Sequence, residues 1–150
     1  MDRHFRLTDE TIVNEDGRTL YRIEATRKSC HADIGQKGGF VESEKNIEGG
    51  AWVADESQVW DKARICGRAI VKGNSRVFGE ARVYGEACVD GGARVSGYSE
   101  VYENAYVRDV FIAARSEIGG FAIIDGCIQE AIAMRAAMQK AAANAQTLQQ

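Results

Sequence analysis

A β-branched residue recurs at every sixth position through the middle of the chain. From Val41 to Val107, twelve consecutive positions at this spacing hold Val or Ile; after one step of five residues the series resumes at Ile112 and ends at Ile124. A second column, two residues before the first, holds Ala or Ser at ten consecutive positions from Ala51 to Ala105. Because a period of six is not that of an α-helix, the pattern favours short strands over an amphipathic helix.

A third column places Gly or Asp two residues after the β-branched positions. It holds Gly from Gly67 to Gly97 and is preceded by Gly49, Asp55 and Asp61. Because these residues tolerate positive φ, they favour a tight corner after each short strand. In each Ala-x-Val segment the outer two side chains point inward and the middle one points outward. The pattern therefore predicts an all-β fold, a single-stranded parallel β-helix of about five triangular coils with about 18 residues each.

The ends of the chain lack the six-residue repeat. In residues 1–40, alternating strands at Phe5–Leu7 and Thr19–Ala25 flank a turn at Asn14–Gly17, which predicts an N-terminal β-hairpin cap. Residues 41–126 are predicted to form the hexapeptide β-helix. Residues 127–150 turn to Ala, Gln and Met without Gly, which predicts a C-terminal α-helix. That helix caps the last coil, packs on the flank of the prism or associates with partner helices.

One outward column of the predicted prism is apolar. Positions 18 residues apart stack on one wall, and this wall carries Trp52, Ile70, Cys88 and Tyr106. Since an exposed apolar stripe is typical of an interface, the column predicts a cyclic homo-oligomer, a trimer. The alternative is that the outward aromatic side chains of the prism, Trp60 and Phe78 included, only stack on one another or lie beneath the end segments.

Other outward side chains are candidates for binding a ligand or a partner. They combine arginines with aromatic rings along the prism: Arg76, Arg82, Arg94, Trp60, Phe78, Tyr84 and Tyr102. One interpretation is that the arginines bind a small anionic ligand between subunits. The favoured one is a solvated surface, because Glu80, Glu86 and Glu100 lie beside them in the repeat and acidic and basic residues balance along the prism.

Composition narrows the function classes. The 150 residues carry 22 Asp and Glu against 19 Lys and Arg, a net charge of −3, which argues against binding extended nucleic acid. No stretch approaches 18 apolar residues and the N-terminus lacks an apolar segment, so neither a membrane span nor a secretory signal is expected. The four widely spaced cysteines predict reduced thiols, no metal site and a cytoplasmic location. The glycines follow the period of six rather than a phosphate-binding motif, so no cofactor is expected.

The repeats resemble the left-handed β-helix of the hexapeptide-repeat superfamily. That superfamily has an aliphatic residue at the first position of each hexad and a small one at the fifth, as Val77 and Ala81 are here; its glycine falls at the second position, and here it falls at the third. Left-handedness is implied by this resemblance. Upstream, the segments Arg18–Ala25, Gly35–Ile47 and Ala51–Val53 resemble a group from enterobacteria and their phages, whose members are described as acetyltransferases or polymer-forming proteins.

Acyltransferases of this superfamily are similar in using a His at the subunit groove as general base, with acyl-CoA lying between adjacent prisms. This chain has only His4 and His31, both before the repeat, and no long loop interrupts the hexads. Adjacency in sequence does not bring the side chains of Cys30 and His31 together, so an ordinary loop His is favoured.

Two functional hypotheses follow from these observations. The favoured one is a non-enzymatic homotrimeric scaffold or binding protein, phage-encoded and acting in the host cytoplasm. It is either a virion component or an inhibitor of a host defence system, docking on a host protein or sequestering a nucleotide. The alternative is a CoA-dependent acyltransferase with an atypical base.

Overall fold

The computed structural model describes residues 3–126, which form a parallel β-solenoid of about five turns preceded by a β-hairpin. Each coil contributes one short strand to each of three faces, except that the first coil joins the second face only through an isolated bridge between Ile47 and Ile65. The first face contains β3 (Lys37–Val41), β5 (Gln58–Val59), β8 (Arg76–Val77), β11 (Arg94–Val95) and β14 (Phe111–Ile112). The second contains β6 (Arg64–Ile65), β9 (Arg82–Val83), β12 (Glu100–Val101) and β15 (Glu117–Ile118). The third contains β4 (Trp52–Val53), β7 (Ile70–Val71), β10 (Cys88–Asp90), β13 (Tyr106–Arg108) and β16 (Ile123–Asp125).

The two inward columns form the core, as the repeat predicts. The β-branched residues from Val41 to Val107 are fully buried, and so are the serines of the small column, Ser57, Ser75 and Ser99. Backbone hydrogen bonds join each coil to the next, as where the Trp52 N–H donates to the Ala69 carbonyl oxygen at 3.0 Å. In the last coil the β-branched column is more exposed to solvent, and Ile118 and Ile124 are only half-buried.

Each corner of a coil depends on one residue with positive φ. Every member of the Gly and Asp column from Gly49 to Gly97 adopts this conformation, as do Glu103, Asp109, Ala114 and Gly120 in the later coils. Successive corners also stack closely, because a Cβ added to Gly85 would lie 2.8 Å from the backbone nitrogen of Glu103. The predicted role of this column is therefore confirmed.

The single five-residue step is absorbed at one corner, between β13 and β14. Asp109 takes the positive φ there, and its Oδ1 accepts a hydrogen bond from the Gly92 N–H at 2.7 Å. Arg94 still pairs with Phe111 across the ladder, so the first face keeps its register. The step of five residues instead of six thus shortens one corner, and every side chain stays on its own side of the wall.

The predicted N-terminal hairpin is present and extends the first face. Strands β1 (Phe5–Val13) and β2 (Thr19–Ala25) pair antiparallel, and β2 pairs antiparallel with β3. In the connecting turn, the Asn14 side-chain oxygen accepts hydrogen bonds from the backbone N–H groups of Asp16 and Arg18. The first face is consequently one seven-stranded sheet, mixed at its N-terminal edge.

Side chains from the N-terminal segment close the upper end of the solenoid. Arg3 donates to the carbonyl oxygens of Glu44 and Ile47 at 2.9 and 3.0 Å. Glu44 begins the 3-10 turn Glu44–Asn46, and Ile47 follows it. The His4 Nε2 lies 2.6 Å from the Ala51 carbonyl oxygen in a buried position. These bonds satisfy carbonyl groups at the open edge of the first coil. The C-terminal helix predicted for residues 127–150 lies outside the described residues.

Candidate interaction surfaces

The third face carries the predicted apolar column in hydrogen-bonded register. Trp52 pairs with Ile70, Ile70 with Cys88, and Cys88 with Tyr106 across parallel strands. Ile70, Cys88 and Tyr106 are half-buried within the single chain. Ile123 pairs next to Tyr106 and is 69% exposed, so it lengthens the column by one coil. Sequence reasoning missed Ile123, although counting onward across the five-residue step places it on this wall.

Trp52 is not part of the exposed column. Its side chain is fully buried, and the His4 ring lies 6.2 Å away between ring centroids. Gly38 lies so close that an added Cβ would be 2.8 Å from the indole. The expectation that Trp52 is exposed on the outer wall is therefore corrected, because the N-terminal segment covers the first coil there. The exposed column begins at Ile70.

Polar neighbours fix the orientation of Tyr106 on this face. Its hydroxyl donates to Asp90 Oδ2 at 2.9 Å, and this hydrogen bond raises the pKa of the phenol. Burial acts to raise the pKa of Asp90, but the Gly91 N–H and the Tyr106 hydroxyl bond its carboxylate and bring the pKa below its usual value. Burial also raises the pKa of the Cys88 thiol, which keeps it protonated and unreactive at neutral pH.

The aromatic pair on the first face lies beneath the hairpin. The rings of Trp60 and Phe78 stack with centroids 4.6 Å apart, and Trp60 is 2% exposed. Leu20 and Phe40 pack on Trp60, whose indole N–H donates to Asp16 Oδ2 at 3.2 Å. Trp60 and Phe78 therefore lie beneath an end segment, which is the alternative interpretation of the outward aromatic side chains. Trp60 is therefore not available to a partner.

The arginines of the first face also contact the hairpin. Arg76 forms an ion pair with Glu15, and the Arg94 guanidinium lies 3.7 Å from the same carboxylate. Arg94 further lies over the ring of Phe111, 5.5 Å from its centroid. No periodic signal in the sequence could have placed Glu15 here, because it comes from the hairpin turn. These two guanidinium groups face an internal carboxylate.

The second face is polar and carries Arg82. Its outward column reads Arg64, Arg82, Glu100 and Glu117 from one coil to the next. The column forms the floor of an open groove of about 710 Å³. Arg64 is held by Glu48 at 2.7 Å.

Tyr84 and Tyr102 stack at the corner that follows the second face, with ring centroids 5.3 Å apart. The Tyr84 hydroxyl donates to Glu100 at 3.5 Å, and burial together with this carboxylate raises the pKa of Tyr84. The predicted binding residues therefore divide between two places on one chain. Arg82, Tyr84 and Tyr102 lie together, whereas Arg76 and Arg94 lie on another face under the hairpin.

Both histidines serve the N-terminal cap. The His31 Nε2 lies 2.7 Å from the Arg68 carbonyl oxygen, as His4 Nε2 does from that of Ala51. Because a carbonyl oxygen only accepts, each Nε2 carries the proton of a structural hydrogen bond. Cys30 is exposed beside His31, and within residues 3–126 the two side chains share no hydrogen bond.

Two properties of the described residues bear on other function classes. No group of three or more His, Cys, Asp or Glu side chains between residues 3 and 126 is arranged to hold a metal ion. Within the same range no helix has the length and apolar character needed to cross a membrane.

Comparison with known proteins adds no family assignment. A scan against models of protein families finds none that matches this chain, and a search among curated proteins finds no significant relative.

Proposed function

We propose that the protein is a homotrimeric scaffold or binding protein of the left-handed hexapeptide-repeat type. The proposal is carried by the apolar column on the third face, formed by Ile70, Cys88, Tyr106 and Ile123. These side chains stand in register over four coils and remain partly or largely exposed in the single chain. A continuous apolar stripe of this kind is a common feature of subunit interfaces.

The apolar column is compatible with cyclic symmetry. When prisms associate side by side with parallel axes, each coil of one prism lies against the same coil of its neighbour. Apolar side chains can meet their own copies in this way in every coil, since like residues then bury one another. Three subunits close the ring and leave the polar second face outside it.

The geometry supports a binding role better than acyl transfer. A superfamily base would stand free at a subunit groove, but both histidine Nε2 atoms are hydrogen-bonded to carbonyl groups of the N-terminal cap. Burial raises the pKa values of Cys66 and Cys88, which disfavours either as a thiolate nucleophile. If the acyltransferase alternative holds, the chain transfers acetyl groups from acetyl-CoA and His31→Ala abolishes transfer.

Docking on a host protein in the cytoplasm is favoured over nucleotide sequestration. A nucleotide site built on Arg76 and Arg94 would have to displace Glu15 from both guanidinium groups. We therefore propose that the rigid trimer, phage-encoded and free of cofactors, presents its solenoid surface to another protein.

A charge placed in the apolar column tests the proposed assembly. Ile123→Lys puts an ammonium group at the exposed end of the column, where the substitution disturbs little of the core. Phe111→Lys is the matched control, because Phe111 lies in the same last coil, is 77% exposed and belongs to the first face. Light scattering after size exclusion in 0.5 M salt, which screens exposed charge contacts between assemblies, should give a trimeric control and a monomeric Ile123→Lys. Retention of the trimer by Ile123→Lys would contradict the proposal.

A further inference from the structure

The second face carries a column of charges whose sign changes halfway along. Arg64 and Arg82 occupy adjacent strands, followed in strict register by Glu100 and Glu117. Neighbouring strands of a sheet lie about 4.8 Å apart, so like charges stand beside each other twice in one column. This order places two positive groups at the N-terminal half of the face and two negative groups at the C-terminal half.

Three members of the column form no ion pair with any residue from 3 to 126. Arg82 and Glu117 are exposed and have no such partner in this range. Among the same residues, Glu100 accepts only the 3.5 Å hydrogen bond from Tyr84, whereas Arg64 is paired with Glu48. Within the described part of the chain, three of the four charges thus remain available to another molecule.

We propose that the second face binds the same face of a second copy with the solenoid axes antiparallel. A two-fold axis parallel to the strands, midway between β9 and β12, reverses the order of the column in the second copy. Arg82 of each copy then meets Glu100 of the other, and Arg64 meets Glu117. The symmetry repeats each contact, so four opposite-charge contacts form across one interface.

The order of charges excludes the parallel arrangement at this face. With parallel solenoid axes, each coil of one copy would lie against the same coil of the other copy. Arginine would then face arginine, and glutamate would face glutamate. The neighbouring corner is consistent with the antiparallel arrangement, because the same two-fold axis brings Tyr84 opposite Tyr102 of the second copy. Those half-buried rings supply an apolar patch beside the charge contacts.

This interface is separate from the apolar column on the third face and does not depend on the trimer. If the proposed trimer forms, the second faces of its three chains point outward, so pairing joins each trimer to others and the mass exceeds that of one trimer. If the trimer does not form, the assembly is a dimer. In both cases loss of the second-face contact leaves the smaller unit, which is one trimer or one chain.

Charge reversal at the two central positions tests the pairing. Sedimentation velocity at 50 mM salt should show either a dimer or an assembly larger than one trimer for the natural sequence. Arg82→Glu or Glu100→Arg should reduce this to one chain or to one trimer, respectively. The double variant Arg82→Glu with Glu100→Arg should restore the larger assembly, since the column then reads plus, minus, plus, minus and is again complementary to its reversed copy. Raising the salt to 0.5 M should also reduce the mass, because these contacts are exposed to screening.

Lys28→Glu is the matched control for net charge. Lys28 is exposed in the loop after β2 and is not part of the charged column, so its reversal changes the total charge by the same amount as Arg82→Glu and leaves the column intact. The control should keep the mass of the natural protein. Circular dichroism melts confirm that each variant is folded, and Glu117→Arg provides the same test from the end of the column if a central variant does not fold.

Three results would overturn the pairing. One is a mass of one chain or of one trimer for the natural protein at 100 µM. Another is an unchanged mass for the folded single variants. The third is a folded double variant that keeps the lower mass of the single variants.

Discussion

Replacing Gly85 by alanine tests how closely the corners of successive coils stack. Gly85 has a φ of 72°, in the left-handed region, and an added Cβ would lie 2.8 Å from the nitrogen and 3.1 Å from the Cα of Glu103. Alanine therefore has two costs at this position. It adopts an unfavourable backbone conformation, and it pushes against the main chain of the next coil, which no side-chain rotation can relieve.

The magnitude follows from these two contributions. The left-handed conformation costs a non-glycine residue about 1–2 kcal/mol, and inserting a methyl group into a packed site costs about 1–3 kcal/mol. The stiffer unfolded chain offsets about 0.4–1 kcal/mol. The free energy of unfolding should fall by about 1–5 kcal/mol, which lowers the melting temperature by about 2–4 °C for each kcal/mol in a chain of this size.

Gly17→Ala isolates the backbone contribution. Gly17 has a φ of 76° in the hairpin turn, but nothing lies within 4 Å of its added Cβ. Its substitution should cost about 1 kcal/mol, from conformation alone. Urea unfolding followed by circular dichroism gives both values, and the stacking argument is refuted if Gly85→Ala is no more destabilising than Gly17→Ala.

Three further predictions concern the N-terminal cap and the third face. His4→Ala should lower the unfolding free energy by about 1–3 kcal/mol in urea titrations, because it leaves the buried carbonyl of Ala51 without its donor; an unchanged midpoint would contradict this capping role. Trp60→Ala should cost about 3–5 kcal/mol and speed proteolysis of the hairpin, since the indole fills the space beneath it; a hairpin as resistant as before would count against the packing. Tyr106→Phe should destabilise by about 1 kcal/mol at pH 7. That difference should shrink as the pH falls below 3.8 and Asp90 is protonated, because the lowered pKa of Asp90 contributes stability only while it is ionised; a pH-independent difference in melts would contradict the assignment.

The repeat made the solenoid predictable because each column has one structural task. The burial of Val77 and Ala81 and the positive φ of Gly79 follow from their places in the hexad. The step of five was also visible in the sequence, but the hexad pattern alone does not tell whether a corner or a strand loses the residue. The loss is absorbed at Asp109, where the chain already turns, since a loss inside a strand would have reversed the side chains.

The surroundings of the outward side chains were less predictable. A periodic pattern tells which side of a wall a residue occupies, but not what covers that wall. Trp52 and Trp60 both point outward and both are buried, because the N-terminal segment packs over them. The pairing of Arg76 with Glu15 likewise depends on where the hairpin lies, and contacts between distant segments leave no periodic trace.

The mass of the intact assembly tests the central claim, that the apolar third face joins three chains. Native mass spectrometry at low salt should give a whole multiple of about 49 kDa, which is three chains of 16.4 kDa. A further few hundred daltons on each trimer would identify a bound small molecule by its mass. A mass of one or two chains at micromolar concentration would contradict the trimer and the assignment of Ile70, Cys88, Tyr106 and Ile123 to its interface.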